Sequence, residues 1–355
     1  APLGIFGASS LAVVTVAMCF LIGATGPGIT ATGEALLGCV SDDPYLFRTF
    51  VHVVQPADGH AHVGTELVYA TDDDIEPPFK VEPGEATRGI NSQGFAFVIA
   101  LAVEQSPGNM EVESVPFCNL SERMMKDCSS VEDALQLLEA TPSVSPAFSV
   151  LLADAFGDLA HVEVGLFGTA VHQRFSKEKP GLAFAVNCYQ SQELKHFNDP
   201  AAELQAEENN NGCRLARGRQ LAAELRGKLD VAAFRAILSD HGNRERNPEE
   251  NPLLKWWGYS ICNHGTRKNH SYDATAAPWG TVSAEVFQPS LRALHYNYGW
   301  ACGEKAEFGD QLFQSRSWSH FCTFVSPFDG QLPPSHIACT TVEGEITPEA
   351  QPFRR

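Results

Sequence analysis

Several chemistries are missing from this chain at the level of motif. There is no Cys-x-x-Cys pair and no His-Glu-x-x-His, so neither a zinc ribbon nor a metalloprotease helix is signalled. The Gly-x-Ser-x-Gly elbow of serine hydrolases is absent. The glycine-rich run Gly23-Ala24-Thr25-Gly26-Pro27-Gly28 lacks the Lys-Ser/Thr of a phosphate loop and the spacing of a dinucleotide fingerprint, so it reads as a hairpin turn. Basic residues are scarce. The 25 lysines and arginines face 43 acidic residues, for a formal charge of −18 over 355 residues. Such a surface repels phosphate backbones and anionic lipids, which argues against nucleic-acid partners. Ten cysteines are too few for a disulfide scaffold of this length and lean toward a reducing interior. The sequons Asn119-Leu120-Ser121 and Asn269-His270-Ser271 are short enough to arise by chance and leave the compartment open.

What is present is a full core, with 44% hydrophobic residues. No internal repeat or interdomain linker divides the chain, so a single domain over residues 1–355 is expected. Leu11 to Ile22 is nearly continuous apolar sequence. It is shorter than the roughly 20 residues of a membrane span, soon meets glycines, and lacks a basic n-region before it. A buried strand, or a helix running into a strand, accounts for it best; a membrane anchor is the weaker reading.

The remaining pattern is hairpins, then helices, then hairpins. Ala35 to Gly38 reads as the second arm of a hairpin, and Phe47–Val54 and His60–Tyr69 as strands around a Pro-Ala-Asp-Gly turn. The acidic, proline-bearing stretch 71–87 reads as an exposed loop. Asn91 to Gly94 turns into the apolar strand Phe95–Val103. Ser129-Ser130-Val131-Glu132 is spaced as a capping box before a helix. Phe148–Ala153 and Ala160–Leu166 form a hairpin, and Leu182–Val186 a short strand. Cys213–Leu229 is amphipathic, and Asp230 caps a second helix that ends before Gly242. Thr281–Phe287 and Leu291–Tyr298 close the series. This order does not fit a doubly wound parallel sheet. An α+β fold of two mainly antiparallel sheets between helical layers, an αββα sandwich, accommodates it.

Cysteine nucleophiles are the best source of chemistry, since a thiol becomes reactive wherever a base or positive field favours its thiolate. Cys19 heads a presumed strand whose hairpin partner brings Asp42 back toward it. On spacing alone, a buried structural cysteine remains the commoner outcome.

The run Cys19-Phe20-Leu21-Ile22-Gly23-Ala24-Thr25-Gly26-Pro27, followed by Gly33 to Gly38 and then Asp42, resembles the nucleophile hairpin of N-terminal nucleophile (Ntn) hydrolases. The nearest branch is the acyl-coenzyme A:6-aminopenicillanic acid acyltransferase family, with choloylglycine hydrolases and penicillin V acylases as relatives. Further segments match in the same order. Gly89-Ile90-Asn91-Ser92-Gln93-Gly94 resembles a family turn, and Ser149 to Gly165 a family hairpin. Ala185-Val186-Asn187-Cys188-Tyr189-Gln190-Ser191 resembles the segment that carries the oxyanion asparagine. Arg214–Leu225, Ser260-Ile261-Cys262 and Gly280-Thr281-Val282-Ser283 complete the series.

The resemblance implies a four-layer Ntn-hydrolase sandwich and a cysteine amidohydrolase or acyltransferase acting on a small-molecule amide. Residues 1–18 would then be a propeptide or upstream remnant. After cleavage, the α-amine of Cys19, with a reference pKa of about 7.7–8.0, can take the thiol proton. Asp42 would orient that amine and Asn187 would donate to the oxyanion. Asn91, Trp256 and Trp257 are the candidate substrate contacts. No metal or organic cofactor is signalled or required, no stable membrane insertion is expected, and homo-oligomerisation is left open. Four departures stand out: Met18 and Phe20 flank the nucleophile, Cys39-Val40-Ser41 replaces the usual Arg or Gln-Asn, and Cys188 follows Asn187 where the family has His. They motivate an alternative, a catalytically silent Ntn-fold binding protein or unprocessed precursor. Two other nucleophile placements stay open, one at Gly7-Ala8-Ser9-Ser10 and a weaker one at Cys39.

Overall fold

The computed structural model describes residues 19–44, 47–69, 88–105, 112–200, 210–242, 260–263, 279–302, 322–324, 336–340 and 346–352. The rival register at Ala8-Ser9, the acidic stretch 71–87, and Trp256 and Trp257 lie outside these residues.

The chain opens with β1 (Phe20–Thr25), β2 (Leu36–Pro44), β3 (Phe47–Val54), β4 (His62–Tyr69), β5 (Arg88–Asn91) and β6 (Ala96–Leu101). A two-residue strand β7 (Val115–Pro116) leads into helices α1 (Phe117–Asp127) and α2 (Val131–Glu139). Then come β8 (Val144–Ser145), β9 (Phe148–Ala153), β10 (Leu159–Gly165), β11 (Gly168–Phe175) and β12 (Gly181–Ala185). Helices α3 (Asn210–Glu224) and α4 (Val231–Leu238) precede β13 (Trp279–Gln288), β14 (Ala293–Tyr298), β15 (Cys322–Phe324), β16 (His336–Thr340) and β17 (Ile346–Pro352).

Two antiparallel sheets result. One has six strands in the order β12-β1-β2-β13-β14-β15, and the other has nine in the order β11-β10-β9-β6-β5-β4-β3-β16-β17. Three apolar layers separate the elements. Phe20, Ile22, Val40, Phe184, Phe234 and Leu238 lie between the six-stranded sheet and α3–α4. Leu21, Leu37, Cys39, Val63, Val98 and Leu151 lie between the two sheets. Phe97, Val150, Met124, Leu135 and Leu138 lie between the nine-stranded sheet and α1–α2. The molecule is therefore the αββα sandwich expected from the hairpin pattern. Every residue of β1 is buried, because both faces of its sheet are covered.

Local signals set the helices. The Asp230 side chain accepts from the Ala233 N–H and starts α4. Helix α2 is capped one residue later than the Ser129–Glu132 spacing predicts. Ser130 accepts from the Asp133 N–H, and the Asp133 carboxylate reaches back to the Ser129 N–H at 2.9 Å. Glu132 instead pairs with Arg174 on β11 at 2.8 Å. Several elements escape the sequence pattern, among them strands β5, β7, β8 and β15–β17, helix α1 and strand β11. Helix α1 shows a legible stripe in Phe117, Leu120, Met124 and Met125. Strand β11 is a partly exposed sheet edge with little apolar alternation.

Helix α3 approaches β1 at Gly218, where an added Cβ would run into the Phe20 ring. Gly218→Ala gains helix propensity of about 1 kcal/mol, yet overpacking at such a contact costs about 1–3 kcal/mol. A lower denaturation midpoint is expected for Gly218→Ala, with partial recovery when Phe20→Leu is added. A raised midpoint in the single variant would refute the close approach.

Candidate active site

The alternation of β1 fixes where Cys19 points. Phe20, Ile22 and Ala24 face the helices, while Cys19 and Leu21 face the interior between the sheets. The β1–β2 register pairs Phe20 with Val40 and Leu21 with Cys39; carried back one residue, it sets Cys19 opposite Ser41. The thiol is only 4% exposed and accepts from the backbone N–H of Asp42. Burial pushes this thiol up to about 11, Arg88 opposes that rise, and Asp43 and Asp42 add to it. As placed, Cys19 is a neutral thiol that needs a base.

Strand β2 presents acidic groups to both faces. Asp42 shares its face with Val40, toward the helices, where the Arg214 guanidinium of α3 lies 4.0 Å from Oδ2. Thr281 Oγ1 donates to Asp42 Oδ1 at 2.6 Å, and Asn263 Nδ2 approaches Oδ2 at 3.5 Å. A bulge in β13 makes the threonine contact. The register runs Thr281–Asp42 and then Ser283–Ser41, skipping Val282. Directly opposed residues share a face, so the extra residue turns Thr281 onto Asp42's side. Thr281 and Asn263 also bond each other twice, Asn263 N–H to Thr281 Oγ1 at 2.8 Å and Thr281 N–H to Asn263 O at 2.7 Å. Burial pushes Asp42 up to about 7, with Arg214 and the Thr281 hydroxyl pulling the other way.

The opposite face of β2 meets the second sheet. Arg88 of β5 donates to Ser41 Oγ at 2.6 Å and lies 3.5 Å from Glu285 Oε1. Ser41 in turn donates to Asp43 Oδ2 at 3.3 Å. Glu285 sits opposite Cys39 and accepts its thiol proton at 3.1 Å. Burial and the Glu285 carboxylate hold the Cys39 thiol well above the ordinary range. Cys39 is thereby held protonated as a hydrogen-bond donor, a poor setting for a nucleophile.

Asn187 follows β12. Its Nδ2 donates to the Leu101 carbonyl at 2.9 Å, and its Oδ1 accepts from Arg214 at 3.1 Å. Arg214 thus links Asn187 to Asp42. The turn beyond Asn187 is anchored by Glu163 of β10, which accepts from the Ser191 N–H at 3.1 Å. Asn91 is employed elsewhere. Its Nδ2 donates to the Met125 and Cys128 carbonyls, and its Oδ1 accepts from the Gln93 and Phe95 N–H groups. Its side chain therefore ties the β5–β6 turn to α1.

Arg88, Arg214, Asn263 and Glu285 escape motif reading as site residues. Arg88 adjoins the Gly89–Gly94 motif and Asn263 follows Cys262, so only proximity to matched segments pointed to them.

The family described as Acyl-coenzyme A:6-aminopenicillanic acid acyl-transferase matches residues 50–263. No curated protein matches the chain significantly. A mutant of the conjugated bile acid hydrolase from Clostridium perfringens is similar, with a TM-score of 0.53 and 12% identity, covering 92% of this chain and 98% of that one. Penicillin V acylase from Agrobacterium tumefaciens gives a TM-score of 0.41 and 14% identity over 79% of this chain and 83% of that one. The first likeness is one of fold, and it is that of the Ntn hydrolases; the second is too distant to carry an argument.

The buried carboxylates make stability pH-dependent. Asp43 is pushed up to about 7 by burial, against an ordinary 3.8. Between those values the folded chain holds a proton that the unfolded chain releases, so the Asp43 contribution declines as pH rises. Buried His52 and His161, held near 3 by burial, act oppositely and lose stability as pH falls below about 6.5. Subtracting the stability of Asp43→Asn from that of the wild type isolates the carboxylate. That difference should fall steadily from about pH 4 to about pH 7 in denaturant titrations; a flat difference would contradict the buried assignment.

Proposed function

Since the chain belongs to the acyl-coenzyme A:6-aminopenicillanic acid acyl-transferase family, we propose that it cleaves a small-molecule amide through a thioester on Cys19. The observation that carries this reading is the placement of Cys19 at the head of β1, against the Asp42 N–H. Asp42 is in turn joined through Arg214 to Asn187.

Among the described residues, the groups that act on this buried thiol include no histidine to serve as base. The α-amine of Cys19 supplies one, but only when the Met18-Cys19 peptide bond has been cleaved; until then that nitrogen is an amide. Once free, the amine takes the thiol proton and sulfur attacks the amide carbonyl carbon. The carbonyl oxygen gathers negative charge, and the Asn187 Nδ2 hydrogen not directed at Leu101 donates to it. Collapse breaks the C–N bond, and the α-ammonium returns its proton to the departing amine. The thioester is then resolved by water, giving the acid, or by an acceptor amine, giving a new amide. Asp42, held by Thr281 and Asn263, orients the amine throughout. Arg88 of β5 supplies a cation beside Cys19 from the facing sheet, while β2, in the sheet of Cys19 itself, carries Cys39-Val40-Ser41 in place of the family's usual residues.

The departure at Phe20 is compatible with this chemistry, because Phe20 faces the helix layer with Phe184. The whole-chain assignment as one domain, with residues 1–18 as its propeptide, belongs to the same proposal.

Intact mass spectrometry with an iodoacetamide probe tests the reading. In a Cys118→Ser background, which removes an exposed thiol, a chain beginning at Cys19 is expected, with an adduct mapped by peptide digestion to Cys19. Cys19→Ala should abolish the adduct, the cleavage and amide turnover together. An unbroken chain with unlabelled Cys19 would instead support the catalytically silent binding protein. Asn187→Ala should lower kcat by about 10²–10³-fold, in line with loss of one oxyanion donor. Arg88→Gln should shift the pH profile of Cys19 alkylation upward, because the opposing cation is gone; an unmoved profile would remove Arg88 from the site.

A further inference from the structure

A second cluster of reactive side chains lies behind the Asp42 network. His241 sits just past the end of α4, Cys262 lies in the 260–263 segment, and Cys302 follows β14. Their ligand atoms all fall within 4.8 Å of one another. The two sulfurs are hydrogen-bonded rather than joined covalently. Cys262 is fully buried, while His241 and Cys302 are half-buried, so the cluster has a closed floor and an open mouth. The neighbouring Asp240 carboxylate is occupied by Arg217, at 2.8 Å through both oxygens.

We infer that His241, Cys262 and Cys302 form a binding site for a zinc-class divalent ion, which clips three separate stretches of chain together. Two thiolates and an imidazole are a soft-to-borderline donor set that selects zinc-like ions over magnesium or calcium. Ligand distances of about 2.3 Å to sulfur and 2.0–2.1 Å to nitrogen need only a small inward movement of donors this close. The open mouth leaves the fourth tetrahedral position to solvent. Two thiols must give up their protons to bind an ion as thiolates, so loading releases protons.

The site bears on the Asp42 network through one peptide bond. Asn263, the residue after Cys262, holds Thr281 and reaches Asp42. The Cys262 N–H donates to the Asp240 carbonyl at 3.2 Å. An ion would fasten the 260–263 segment at its side-chain end as well, and so fix where Asn263 stands.

The decisive experiment uses the full chain, purified under reducing conditions and titrated with cobalt(II). Saturation at one equivalent is expected, with a thiolate-to-cobalt charge-transfer band and the visible bands of tetrahedral coordination. Zinc should displace cobalt and abolish both. Cys302→Ser and His241→Asn should each lose the signal, while exposed Cys118→Ser keeps it; circular dichroism checks that each variant is folded. Hydrogen exchange at residues 260–263 should slow when zinc is added. Absence of the charge-transfer band in the wild-type chain would overturn the inference whatever the variants do. So would a Cys262–Cys302 disulfide found by non-reducing peptide mapping and indifferent to added metal. These readouts are independent of amide turnover, so failure here leaves the proposed function standing, and the reverse holds as well.

Discussion

Burying charge is costly unless each charge is paired, and that constraint organises the centre of this protein. Three carboxylates, Asp42, Asp43 and Glu285, are buried on two neighbouring strands of one sheet. Two guanidiniums answer them from opposite directions, Arg214 from the helix layer and Arg88 from the facing sheet. The alternation of β2 decides which carboxylate meets which cation. A slip of one residue would turn Asp42 toward Arg88 and Asp43 toward Arg214. The hairpin, helix α3 and the facing sheet therefore meet at the same pairs. Cys19 inherits its surroundings from this arrangement, including the cation that partly offsets its burial.

How much of this was legible depends on the range of the interaction. Features written in a few consecutive residues read well, among them the Asp230 cap, the Asn91–Gly94 turn and the β13–β14 hairpin. The αββα layering followed from the order of hairpins and helices. Helix α2 begins one residue later than the Ser129–Glu132 spacing predicts, with Ser130 and Asp133 as its cap, while Glu132 meets Arg174 on a distant strand, a contact that no local spacing encodes. Arg88 illustrates the same limit more sharply. Beyond its place next to the Gly89–Gly94 motif, nothing in the sequence distinguishes it from an ordinary strand arginine; only the pairing of two sheets brings it to Ser41 and Glu285.

The departures from the family pattern also sort by direction. Phe20 and Cys188 lie in the layer under the helices, away from the thiol's face. Cys39 lies on the thiol's own side, but its proton is directed at Glu285. A linear comparison weighs such positions equally, whereas the sheet separates those that face the reacting group from those that do not.

The short segment 260–263 docks onto the bulge of β13 by two reciprocal bonds between Asn263 and Thr281, much as an extra strand residue would. Residues 260–263 are an anchored point in the connection between α4 and β13. The geometry around Asp42 is thus pinned from a segment of four residues that lies far from that aspartate along the chain but is bonded directly to its partner strand.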